Sequence, residues 1–240
     1  MDEFEIENNM IETMPRELLL ETIEGLTDEQ ADRFIAYYYM LIERNRVMNL
    51  TRITSPIEVA RKHFADSLLG ASLIPPDARV IDVGTGAGFP GIPLKIVRPD
   101  IELVMVDSLG KRVNFLNEVC SSIGIEARAV HARAEDAARD DALRAHFDIA
   151  LSRAVAPMNL LLELTVPFLK VGGRSLMYKG AGAAEEIAAC ANAARVLSCE
   201  LRPFDFDVEW GARTIVSAEK TAKTSPKYPR KPGVAKKAPL

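Results

Sequence analysis

The chain is poor in the residues that build cross-links and metal centres. Its 240 residues include three cysteines, Cys120, Cys190 and Cys199, and three histidines, His63, His131 and His146. The cysteines have no ligand spacing, and no two histidines stand at i, i+4. An odd thiol count suits reduced core cysteines, so neither a disulfide framework nor a metal site is expected. No apolar run approaches the roughly 18 residues that span a bilayer. The start, Met1-Asp-Glu-Phe-Glu-Ile-Glu7, is the opposite of a basic signal-peptide region. The reading is a soluble cytoplasmic protein, a monomer with no membrane partner.

Hydrophobic residues make up 48%, enough for a real core. The net charge of −4 is spread unevenly. Residues 1–29 carry ten acidic side chains and one basic, Arg16. Residues 220–240 carry seven basic side chains and no acidic one. A basic tail on a mildly acidic body argues against nucleic-acid binding over the whole surface and allows it at one place.

The first 75 residues read as a helical extension whose acidic residues 1–25 are mobile. Thr27-Asp28-Glu29-Gln30 is a capping box, followed by Ala31, Phe34, Tyr38 and Leu41 at helical spacing. Ser55-Pro56-Ile57-Glu58 opens a second helix, which carries His63, Asp66 and Ser67. Residues 76–220 then alternate strands and helices. Strands are expected at 79–83, 102–106, 127–131, 147–151 and 174–178. Ser108 is placed as the cap of the helix after the second strand. A helix around 159–169 is expected to stop at Gly172-Gly173, and an alanine-rich helix to span 184–197. Two last strands, near 201–208 and 214–219, have no helix between them and suit an antiparallel hairpin. The fold class is α/β: a doubly wound, mostly parallel sheet with an antiparallel C-terminal edge. Residues 221–240, rich in proline and lysine, read as an extended or mobile tail.

The chemistry centres on Gly84-Thr85-Gly86-Ala87-Gly88 after the first strand. Three alternate glycines are more than a tight turn requires and let backbone approach a ligand. The dinucleotide pattern G-x-G-x-x-G fails from Gly84, where its third glycine falls on Phe89. It matches from Gly86, three residues past the strand and with Pro90 removing an amide. Asp107, closing the second strand, could accept from ribose hydroxyls or act as a charge at a helix start. A carboxylate there suits nicotinamide and sulfonium nucleosides alike, so the residues alone leave the cofactor open.

The longer string Ile81-Asp-Val-Gly-Thr-Gly-Ala-Gly-Phe-Pro-Gly-Ile-Pro-Leu94 is more specific, as is Val106-Asp-Ser-Leu-Gly-Lys-Arg-Val113. With Met48-Asn-Leu-Thr51, Arg61-Lys-His-Phe-Ala-Asp-Ser67, Ala132-Arg-Ala-Glu135, Ile149-Ala-Leu-Ser-Arg-Ala154 and Tyr178-Lys-Gly180, they resemble RsmG (GidB), the bacterial small-subunit rRNA methyltransferase family. The resemblance runs from about residue 26 to the end. It implies a class I methyltransferase sheet of seven strands, S-adenosylmethionine as cofactor and 16S rRNA, or a small-subunit precursor, as partner. The implied reaction methylates N7 of guanine 527 in the 530 loop. The cofactor would meet Gly84, Gly86, Gly88, Phe89, Asp107, Ser108, Ala134, Glu135 and Arg153. Departures are Arg44 and Asn45 where the family often has an aromatic residue, and a rearranged tail end.

Guanine N7 has a free lone pair, so no general base is expected. Arg153 and Lys179, at strand ends, are candidates to orient the base or a phosphate. RNA-contact candidates are His63, Lys111, Arg112, Arg133, Lys227, Arg230 and Lys231, each weighed against a plain surface or packing role. Three other functions share the pattern: a methyltransferase for another RNA, a protein or a small molecule; a nicotinamide oxidoreductase; and a nucleotide-binding RNA chaperone without turnover.

Overall fold

The computed structural model describes residues 11–240. The sequence expectation of a mobile acidic segment at 1–25 lies outside the described residues for 1–10. From residue 11 onward the chain is packed. Met14 and Leu19 are buried, the latter in helix α1, Arg16–Thr22. Helix α2, Asp28–Met48, starts at the expected box: Gln30 N–H donates to Thr27 Oγ1 and Thr27 N–H to Gln30 Oε1. Helix α3, residues 56–68, is α-helical at both ends. Between them Ala60–Ala65 is a π-helical turn in which Asp66 N–H reaches Arg61 O, five residues back. Residue spacing cannot foretell such a bulge, and such turns are frequent at functional sites.

Seven strands follow: β1 Arg79–Val83, β2 Glu102–Asp107, β3 Ala127–His131, β4 Phe147–Arg153, β5 Leu169–Lys179, β6 Cys199–Phe206 and β7 Arg213–Lys220. They form one sheet in the order β3-β2-β1-β4-β5-β7-β6. The pairs from β3 to β5 are parallel, and β7 is antiparallel to both β5 and β6, as the missing helix before β7 required. Strand periodicity sends Val80, Leu103 and Met105 to one face, while Ile81, Val83, Val104 and Val106 go to the other. On the first face lie α1 to α3, α4 (Gly91–Val97) and α5 (Gly110–Ser122). The second face holds α6 (Ala134–Ala137), α7 (Met158–Thr165), α8 (Ala183–Ala189) and α9 (Ala191–Leu197).

Two expectations need correction. Gly172-Gly173 does not stop a helix. Helix α7 ends at Thr165, a short 3-10 turn follows, and the glycines lie inside β5. A Cβ on Gly173 would stand 3.0 Å from Phe147 and Asp148 carbonyl oxygens, so glycine permits the close crossing beside the β4–β5 register shift. Ser108 does not cap α5. Asp107 Oδ1 accepts from Leu109 N–H at 2.9 Å, while Ser108 stays exposed.

The tail is also docked, contrary to its extended or mobile reading. Tyr228 and Ala235 are buried, and residues Val234–Lys237 form a helical turn, α10. Arg144 donates to Tyr228 O at 2.9 Å, and Arg139 to Pro229 O. Arg230 forks onto the buried carboxylate of Glu163, with Nε–Oε1 at 2.9 Å and Nη2–Oε2 at 2.6 Å. Its charge is spent inside the protein, so it is not free for RNA. Lys220, counted among the basic residues at the chain end, is buried at the close of β7. Its ammonium donates to Leu169 O and Val166 O, and burial pushes its pKa down to about 8.

Asp82, buried in β1, anchors the glycine loop. Its Oδ2 accepts from Thr85 Oγ1 at 2.7 Å and Gly91 N–H at 3.0 Å; Oδ1 is buried with no partner among the described residues. Burial pushes its pKa up to about 6, and the two hydrogen bonds pull only partly against it.

Two tests follow from these buried groups. Arg230→Ala strands the Glu163 carboxylate and should cost about 3–5 kcal/mol in urea unfolding. Exposed Lys231→Ala should stay within about 0.5 kcal/mol; equal effects would refute the docked tail. For Asp82, the native carboxyl holds its proton more tightly than the unfolded one. The stability this contributes is complete below the ordinary pKa near 4 and is lost as pH rises through 6. Asp82→Asn, always neutral, should therefore gain on wild type by about 2–3 kcal/mol between pH 4 and pH 7. Parallel stability curves against pH would contradict the shift.

Candidate cofactor and acceptor site

Strand order reverses between β1 and β4, and a ligand crevice is expected where their carboxyl ends diverge. Two cavities, about 310 and 390 Å³, lie there and share Gly84, Arg112 and Ala154. A larger groove of about 740 Å³ lies at the opposite end of the sheet, against Arg79, Glu102 and Arg128. No glycine loop reaches it, so its size carries no functional weight.

The loop between the cavities is held by its own hydrogen bonds. Gly84 and Thr85 N–H donate to Val106 O, and Gly86 N–H to Asp107 Oδ2. Gly88 and Phe89 N–H donate to Thr85 O, and Gly91 N–H to Asp82. A pyrophosphate cradle needs such amides free at a helix start. Here six of them are consumed and Pro90 has none, which removes the structural basis for the nicotinamide reading. Positive φ at Gly88 (104°) coincides with crowding: a Cβ there would lie 2.8 Å from the Tyr37 hydroxyl oxygen. That hydroxyl donates to Ala87 O and ties α2 to the loop.

The first cavity brings together Gly84, Asp107, Ser108, Ala134 and Glu135, with Arg112 and Arg133 at its edge. Both Asp107 oxygens already hold a backbone amide, and Oδ1 keeps a lone pair for a ligand hydroxyl. Arg112 Nη1 stands 3.5 Å from Asp107 Oδ2. Glu135 Oε1 accepts from Gly233 N–H at 3.4 Å, so the docked tail helps to set this wall. Val155 lies over Gly84, where a Cβ would meet its Cγ2 at 2.8 Å.

The second cavity holds Gly84, Gly86, Phe89, His63 and Arg153. Phe89 stacks on His63 at 4.5 Å, and the Arg153 guanidinium carbon sits 4.9 Å from the centre of the Phe89 ring. Arg153 Nη1 donates to Lys62 O at 3.2 Å, His63 O at 3.4 Å and Asp66 Oδ2 at 3.1 Å. The π-helical turn supplies those two carbonyls. His63 Nε2 is 2.8 Å from Thr51 Oγ1, and burial, then the Arg153 charge, push its pKa down to about 4. It is a neutral wall of the second cavity.

A third cavity, about 320 Å³, adjoins the second through Asp66, Arg153 and Ala154. Lys179 lines it, but its ammonium is bonded to Glu186 Oε2 at 2.8 Å and Ala156 O at 3.1 Å. That pair fastens the loop after β4. Gly88, the last glycine of the loop, lines none of the three cavities. Lys111, Lys227 and Lys231 are exposed and line none of the three cavities. Sequence reading missed Arg213 and Trp210, which both donate to Asp66 Oδ1, at 2.6 and 3.1 Å. They stand about 145 residues from Asp66, and no spacing links them.

Comparison with known proteins places this geometry. A family profile described as rRNA small subunit methyltransferase G matches residues 30–209. A protein of that name from Desulfitobacterium hafniense is 47% identical over 219 residues, covering 90% of this chain and 91% of the relative. Another from Streptococcus gordonii is 42% identical over 221 residues, covering 90% and 93%. Among solved structures, a Pyrococcus furiosus methyltransferase aligns with a TM-score of 0.54 at 12% identity, covering 79% of this chain and 99% of that one. M. jannaschii TYW2 in complex with AdoMet aligns at 0.52 and 17%, covering 64% and 73%. These likenesses show the class I methyltransferase fold. The match over most of the sequence shows more: the chain belongs to the rRNA small subunit methyltransferase G family.

Proposed function

We propose that the protein transfers a methyl group from S-adenosylmethionine to N7 of guanine 527 in the 530 loop of 16S rRNA, acting as a cytoplasmic monomer. The observation that carries the cofactor side is the self-bonded glycine loop beside Asp107. It leaves no amide cradle for a pyrophosphate but keeps a carboxylate acceptor for a nucleoside. The first cavity suits adenosine: Asp107 for ribose hydroxyls, Ala134 and Glu135 at the base. The second suits the methionine end, floored by Gly84 and Gly86 and walled by Phe89 and Arg153.

Bound there, S-adenosylmethionine supplies an electrophilic sulfonium methyl. Guanine N7 brings its own lone pair and loses no proton, so the protein's work is alignment and exclusion of water. Phe89, His63 and Tyr37 form an apolar wall behind the loop. Arg153, held by Asp66 and two carbonyls, is a fixed donor that can orient the entering base. In this assignment residues 11–75 cap the site, 76–220 hold the cofactor and 221–240 brace the Glu135 wall.

Mapping N7-methylguanine in 16S rRNA from cells with and without the gene tests the reading. The modification at position 527 should vanish with the gene, and its persistence would refute the assignment. On the cofactor side, Asp107→Ala should weaken S-adenosylmethionine binding about 10- to 100-fold by calorimetry, the range for losing a hydrogen bond to a charged group. Wild-type protein should show no heat with NAD. Undiminished affinity in the variant would remove Asp107 from the site.

A further inference from the structure

The third cavity has a charge imbalance that cofactor binding does not explain. Asp66 is one buried carboxylate between two guanidiniums: Oδ2 holds Arg153, and Oδ1 holds Arg213 and the Trp210 indole. Among the described residues neither arginine pairs with another carboxylate. One positive charge is left over. Arg153 is the inner of the two, its side chain 13% exposed; Arg213, at the start of β7, is the outer at 25%. Arg213 spends Nε on Asp66 and Nη1 on Ala212 O at 3.0 Å, and Nη2 has no acceptor among the described residues. Between the arginines the walls are apolar: Leu69, Tyr178 and Ile215.

We propose that Arg213 seats a backbone phosphate of the acceptor RNA at the mouth of this cavity, and that the acceptor nucleotide reaches the methyl-transfer site past Arg153. The inference rests on the RNA methyltransferase function above. Its physical ground is charge. The new bond joins the methyl carbon to N7 and the broken bond leaves its electron pair on sulfur, so the positive charge passes from cofactor to guanine. A surplus guanidinium nearby opposes a cationic product. A phosphate brought in by the substrate cancels that surplus when the base is in place and not otherwise. Arg213 Nη2, with no acceptor among the described residues and on the more exposed of the two arginines, is the donor able to take it. Asp66 is then a positioning residue, splaying the two arginines to hold one inward and one outward.

The test uses full-length protein and small ribosomal subunits purified from cells lacking the gene. Values of kcat/KM are measured between 50 and 200 mM KCl at fixed magnesium. The wild-type log–log plot should fall with salt. Arg213→Gln should flatten its slope by about 0.7, the share of one single-stranded phosphate contact. Most of the loss should appear in KM and little in kcat. Arg213→Lys should restore the wild-type slope. Calorimetry with S-adenosylmethionine should give the wild-type affinity for both variants. An unmoved slope in Arg213→Gln overturns the phosphate contact, as does a fall in kcat alone, which would place the base and not the backbone against Arg213. Loss of cofactor affinity overturns it too, because the residue would then serve folding. Wild-type protein that transfers no methyl to subunits refutes the function itself, a result distinct from all of these.

Discussion

A single buried carboxylate at the end of β1 decides what the glycine loop can bind. Asp82 is desolvated, half-satisfied and shifted toward neutrality, and it takes its two hydrogen bonds from Thr85 and Gly91, on either side of the loop. That clamp fixes where the loop leaves the strand and where α4 begins. Asp107 closes the loop from the other side through Gly86 N–H. Together with the Val106 and Thr85 carbonyls, the two aspartates consume the amides that a phosphate would need. A glycine-rich turn after a first strand is shared by many nucleotide folds. Here its internal bonding turns it into a smooth floor, suited to a ligand without phosphates.

The helical extension depends on the same floor. Tyr37 of α2 donates to Ala87 O, and Phe34, Tyr37, Phe64 and Phe89 form one aromatic contact chain from the extension into the loop. The π-helical turn in α3 supplies Phe64, a middle link of that chain. Its Lys62 and His63 carbonyls accept from Arg153, so an irregularity in one helix fixes a side chain at the end of a strand. Glycine loop, Arg153 and extension thus form one packed unit.

Local order was legible from sequence wherever the signal was local. The Thr27 box, the five parallel strands and the C-terminal hairpin follow from caps, periodicity and the missing helix before β7. Gly84, Gly86 and Asp107 were legible as a candidate site because they are punctuation around a strand end. Apart from Ser108, whose capping bond is taken by its neighbour Asp107, the failures are non-local. Gly172-Gly173 reads as a stop, but a strand crossing 3.0 Å away makes it part of β5. A Pro/Lys-rich tail reads as mobile, but Glu163, an acidic residue on an otherwise apolar helix, was waiting for Arg230, 67 residues later. The Asp66–Arg213 pair spans 147 residues and has no sequence signature at all.

The titratable groups of the candidate site make sense against the proposed methyl transfer to guanine N7, which moves charge and no proton. A general base is useful when its pKa lies near the working pH. Here burial drives groups away from that range: His63 down to about 4, Tyr37 and Tyr178 upward. His63 therefore stays neutral against Phe89, and the two phenols keep their protons and their bonds to Ala87 O and Ser67 O. Asp82, shifted to about 6, lies behind the loop and lines none of the three cavities. Where the second and third cavities meet stands Asp66 with its two arginines. A site with no proton to move has one electrostatic task, to accommodate a cation that changes atoms, and the one carboxylate and two guanidiniums beside it set the terms on which that cation is received.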